Sequence, residues 1–109
     1  VLDVTFYRDS RDRLSCIFAR GHAGWADPGE DLVCAAASAI LQAAQLGLQA
    51  YARVQLEVRQ GAGELSLRWP EPARDDAAVI AIARTAELSI IALAKQYPKH
   101  VSAHTVREP

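Results

Sequence analysis

Residues 21–38, GHAGWADPGEDLVCAAAS, set a histidine in a glycine-rich segment and a cysteine twelve residues later, where an Ala-rich segment begins. A helix N-terminus presents unpaired backbone N–H groups and a partial positive charge, which favour a thiolate over a thiol. Cys34 at the third position of such a helix suits a nucleophile. The same N–H groups can donate to the oxyanion that forms when a thiolate attacks a carbonyl. His22 can act as general base and then protonate the leaving amine. The bland alternative is a small core residue, because unpaired cysteine is among the most buried residue types. Asp31 has two readings, N-cap of the helix or orienter of His22. Ser38, one turn beyond Cys34 on the same face, either hydrogen-bonds near the thiol or bonds back to a helical carbonyl. His22, Asp31 and Cys34 make a poor zinc site, since no CxxC, HxxxH or second ligand pair completes four ligands. No metal and no cofactor are expected.

These residues need elements to position them. Residues 1–7 alternate Leu2, Val4 and Phe6 with Asp3 and Thr5, the period of a strand with one buried face. Residues 15–20 read as its hairpin partner across the polar RDSRDR turn. Residues 21–31 hold three Gly, one Pro and three acidic residues, a loop composition. Residues 32–51 carry apolar and small side chains at helical spacing, and the Ala residues suit close packing on a sheet. Residues 54–59 and 64–69 form a second hairpin around QGAG, ended by Pro70 and Pro72. Asp75 and Asp76 stand ready to start a second helix, whose stripe runs from Val79 to Tyr97 before Pro98. Residues 100–107 read as a last strand, with His100 and His104 on one face. The order ββαββαβ predicts an α+β fold, two helices packed on one face of a mainly antiparallel sheet. Residues 1–109 read as a single domain.

Composition narrows the function further. Twelve Lys and Arg against thirteen Asp and Glu give a net charge of −1, and the cations are scattered. Binding that works by neutralising many phosphates is therefore not expected, so no direct nucleic-acid partner is assigned. Two cysteines, Cys16 and Cys34, do not make a disulfide framework, which points to a reducing compartment. The uncharged stretches are Ala-rich and interrupted by Ser and Gln. With no apolar signal segment, the expectation is a cytoplasmic protein without a membrane partner.

The segment GHAGWADPGEDLVCAAASAI resembles the signature of the ribosomal-processing cysteine proteases, Prp, a GHA loop followed by GxDxVCAAxSA. Weaker similarity extends through the opening strands, residues 87–93 and the Gln96-Tyr97-Pro98-Lys99 segment. The resemblance implies a bacterial cytoplasmic endopeptidase that removes a short N-terminal extension from large-subunit ribosomal protein twenty-seven. It implies Cys34 as nucleophile, His22 as base, and supporting parts for Gly21, Asp31 and Ser38. It also implies a homodimer, and a flexible loop over residues 23–30 that orders around a peptide substrate, the ribosomal protein precursor. Trp25 stands where Tyr is more usual, and Ala37 where Val is.

Two alternatives belong to other classes. A non-catalytic ribosome-associated binding module would leave Cys34 inert. A redox-sensing thiol protein would use Cys16 and Cys34 together.

Overall fold

The computed structural model describes residues 1–21 and 28–108, and for residues 28–31 the backbone alone. The strands β1 (Leu2–Arg8) and β2 (Leu14–Arg20) form the expected hairpin, followed by α1 (Pro28–Leu46). A π-helical turn over Gly47–Tyr51 follows, then β3 (Glu57–Gly61) and β4 (Glu64–Arg68). A 3-10 turn over Glu71–Asp75 leads into α2 (Ala77–Gln96), and β5 (Val101–Arg107) ends the fold. The five strands form one sheet in the order β3-β4-β2-β1-β5, antiparallel except where β5 lies parallel to β1. A parallel neighbour needs a long crossover, and α2 lies within it.

The alternation of β1 sets the two faces of the sheet. Leu2, Val4 and Phe6 are buried, and across the ladder Phe6 pairs with Ile17 and Val4 with Ala19, both buried. Ile17 pairs in turn with Leu67 of β4. This face takes Ala37, Leu41 and Ala44 of α1 together with Val79, Ala83, Ala86 and Ile90 of α2 in one core. The two helices also meet each other. A Cβ on Gly47 would lie 3.3 Å from the Ile82 Cδ1 atom, so the small residue lets α2 approach.

Two boundaries differ from the sequence reading. The helix begins at Pro28, not Leu32, so Asp31 is its fourth residue rather than its N-cap, and Cys34 is its seventh rather than its third. Proline is suited to the first helical turn because its missing N–H would be unpaired there anyway, and its fixed φ is already helical. Residues 28–30 of the expected loop are thus helical backbone, while Trp25 and the rest of that loop lie outside the described residues. The second hairpin starts later than residue 54. Arg53 takes a positive φ of 55° and the Val54 N–H bonds back to the Leu48 carbonyl at 2.9 Å, so the chain is still turning there.

By length and composition, Leu32–Tyr51 and Ala77–Gln96 are each apolar enough to cross a membrane. In the fold both lay one face on the same sheet.

Candidate active site

Cys34 lies on the sheet-facing stripe of α1 with Ala37 and Leu41, and only 3% of it is exposed. Side chains of a helix lean toward its N-terminus, so Cys34 covers the turn before it. It sits one turn further from the helix start than the sequence suggests, and the field of the helix dipole is weaker there. His22 and the Asp31 side chain lie outside the described residues.

Gly21, the residue after β2, has a φ of +112°, a conformation that side chains rarely adopt. Its N–H donates to the Gly63 carbonyl at 2.9 Å, tying the strand end to the β3–β4 turn. A Cβ there would meet the Val1 carbonyl oxygen at 2.2 Å. The backbone leading into His22 is therefore fixed by a position that admits only glycine.

Gly21 and Ser38 line one groove of about 590 Å³. One wall is Ser38, Gln42 and Gln45 of α1 with Gln49 of the π-helical turn, and the opposite wall is the β3–β4 turn with Gln60 and Glu64. Leu2, Ala19, Leu41 and Leu65 supply apolar lining. Sequence reasoning placed Gly21 and Ser38 in the site but missed the glutamines. Their spacing of three and four residues along one helix face was the available signal.

The second cysteine belongs elsewhere. Cys16 pairs with Tyr7 and Arg68 across the sheet, on the face opposite the helices. It is buried, its sulfur 3.8 Å from the Ser66 Oγ, and burial pushes its thiol up against the smaller opposing pull of Ser66 and Arg68. A sheet therefore separates the two thiols, and neither is in a disulfide. A Cys16–Cys34 disulfide would need the layers to come apart, so the redox reading loses its geometry. Trp69 is a core residue whose Nε1 donates to the Leu14 carbonyl at 2.8 Å. His104 reaches Asp3 at 2.9 Å on the outer face, and His100 precedes β5. Among the described residues, no cluster of His, Cys, Asp and Glu could hold a metal ion.

One cysteine carried on a helix beside a peptide-sized groove suits thiol hydrolysis, and a family model supplies the class. Residues 1–102 match the model for cysteine protease Prp, which makes the chain a cysteine protease. It belongs to the Prp family. Comparison with curated proteins gives no match. Among solved structures, SMU.848 from Streptococcus mutans is 26% identical, with a TM-score of 0.86 over 99% of this chain and 96% of that one. The essential ribosomal processing protease Prp from S. aureus, solved with a substrate peptide, is 18% identical. Its TM-score is 0.86 over 96% of this chain and 99% of that one. The same S. aureus protein with a covalently linked product peptide gives 0.84 over the same spans. These likenesses show the fold.

Proposed function

We propose that the chain is an endopeptidase that removes the N-terminal extension of the bacterial large-subunit ribosomal protein twenty-seven precursor, with Cys34 as nucleophile and His22 as base. His22 takes the proton of the Cys34 thiol, and the sulfur bonds to the peptide carbonyl carbon. The C–N bond then breaks, the amine leaving with the proton held by His22. Water, deprotonated by His22, attacks the thioester and releases the carboxylate product and the thiol. One observation carries the assignment of the nucleophile. Of the two cysteines in this member of a cysteine protease family, Cys16 is held as a thiol on the far face of the sheet, and Cys34 stands one turn from a groove residue. Because Cys34 is 3% exposed, neighbouring atoms must move aside before a peptide reaches its sulfur.

The substrate supports the rest of the reading. The S. aureus relative was solved with a peptide, and among the described residues the groove here is lined by one charged residue, Glu64. We place the protein in the cytoplasm as a homodimer, with Gly21, Asp31 and Ser38 in supporting parts and no nucleic acid or membrane bound. The run of α1 from Leu32 onward, which has no charged residue, and the exposed Ile80 and Leu88 of α2 favour a partner copy.

The test is incubation of the purified protein with the precursor, followed by intact-mass analysis, with Cys34→Ala and His22→Ala alongside. Loss of a defined N-terminal peptide with the wild type alone supports the scheme. Cleavage by Cys34→Ala removes the nucleophile, and full activity in His22→Ala removes the base.

A further inference from the structure

We infer that a cavity at the β1–β2 turn binds a small organic anion, a carboxylate on an apolar body about the size of one ring. The inference stands apart from the protease reading and assigns a second site, at the far end of the sheet.

The sheet fixes the position. Leu14 begins β2 and lines this cavity, whereas Gly21 follows the end of β2 and lines the groove beside α1. The seven residues of β2 separate the two, about 23 Å at 3.3 Å per residue.

Size and apolar character come from the floor. The cavity has a volume of about 160 Å³, and an apolar cavity of about 150 Å³ holds one benzene. Leu14, Trp69, Val79 and Ala83 line it, and all four are buried. The Trp69 Nε1 is already taken by the Leu14 carbonyl, so this wall offers contact and no hydrogen bond.

The charge comes from arginine. Arg8, Arg13, Arg74 and Arg84 all line the cavity, and two buried carboxylates outside the lining hold them in pairs. Asp9 takes Arg13 and Arg74, and Glu87 takes Arg8 and Arg84. Glu71 and Asp75 also reach Arg13, so that side carries no surplus. Asp12, the acidic residue of the lining, is paired with Arg107. On the other side Arg8 and Arg84 donate to the same oxygen of Glu87, Oε1, while the Thr105 hydroxyl occupies Oε2. Two cations there share one anion. Arg84 uses only Nη1 on Glu87, and its Nε and Nη2 have no acceptor among the described residues. Those two nitrogens form the planar fork that a carboxylate bridges with two hydrogen bonds. A ligand carboxylate would supply the missing negative charge while its body covers the apolar floor.

The experiment titrates the full chain with benzoate, benzyl alcohol, benzylamine and inorganic phosphate. Calorimetry gives affinity, and the Trp69 indole and arginine Nε–H resonances give the place of binding. Benzoate is expected to bind with a Kd of about 1 mM or tighter, and the other three at least about tenfold more weakly. Arg84→Gln is expected to weaken benzoate about tenfold. Its half-exposed side chain leaves Glu87 with Arg8 and Thr105, so the fold should persist. Arg84→Lys keeps the charge and loses the fork, and should weaken benzoate less than Arg84→Gln does. Benzyl alcohol binding as tightly as benzoate removes the arginines from the site, and phosphate doing so removes the apolar floor. Unchanged benzoate affinity in Arg84→Gln, shifts confined to the groove beside α1, or no binding at about 10 mM overturns the inference. Cleavage of the precursor is tested separately, so either reading can fail alone.

Discussion

At Gly21 the site depends on the absence of a single carbon. A Cβ there would overlap the Val1 carbonyl oxygen at 2.2 Å, and the φ of +112° is unfavourable for any side chain. Gly21→Ala is expected to cost about 1–3 kcal/mol, since the strained backbone must either be held or relax. Relaxation would move residue 22, so kcat/KM for the precursor should fall further than unfolding in urea accounts for. Wild-type melting and cleavage in Gly21→Ala would show that the strand end tolerates a shift. The cysteines make a second test. Iodoacetamide at mildly acidic pH is expected to label Cys34 when substrate-free protein opens, and to leave Cys16 unlabelled, because burial holds that thiol protonated. Cys16→Ala should keep kcat/KM within about twofold, since the residue lies on the far face of the sheet from the chemistry. The motif itself was legible because its residue types carry their chemistry locally. The glutamines were not, because glutamine in a helix reads as a good helix former, and only the fold sets Gln42, Gln45 and Gln49 along a groove opposite the β3–β4 turn.

Elements were legible wherever a period or a cap marked them. Asp76 caps α2, its side chain accepting from the Val79 N–H at 3.2 Å, as the sequence suggests. Asp76→Ala is expected to cost about 1 kcal/mol in urea unfolding, which for a domain of this size lowers Tm by about 4–8 °C. The 3-10 turn before it and the π-helical turn after α1 were not legible, since both depend on how the chain is returned to the sheet. The polar β1–β2 turn hides a further feature. Asp9 is buried and accepts from the Arg11 and Arg13 N–H groups at 2.9 and 3.0 Å and from the Arg13 and Arg74 guanidinium groups. Burial works against its charge, but these donors hold its carboxyl far below the usual carboxylate range. At the other end of the chain the Arg68 guanidinium, against a smaller effect of burial, holds Glu108 low as well. Both groups have lower values folded than unfolded, so the unfolded chain binds more protons. Their contribution is present above about pH 4 and lost as pH falls. Urea unfolding at pH 7, 4 and 3 should show falling stability, with a shallower acid limb in Asp9→Asn. An unchanged limb in that variant would assign acid sensitivity to other carboxyls.

Across the whole molecule, the layer order was legible because alternation in β1 and helical spacing in both helices agree on one core. The sheet order was less so, because the parallel placement of β5 beside β1 depends on a crossover that local patterns do not encode. The outer surface of the helix layer asks for one more step. No charged side chain occurs between residues 32 and 52, yet Leu32, Leu46 and Tyr51 are exposed. On α2, Ile80 and Leu88 are 49% and 50% exposed. A lone helix of a small domain ordinarily turns charge to water on that side, and an apolar layer about 30 Å long is the kind of surface that another chain covers. A second copy burying this face on both sides would place Leu88 in a desolvated interface, where a carboxylate is costly to bury. Leu88→Glu is therefore expected to convert a dimer to a monomer in light scattering. Because Leu88 is half exposed within one chain, the monomer should keep its far-ultraviolet circular dichroism spectrum. A protein that scatters as a monomer before the substitution, or as a dimer after it, would move the contact to another face.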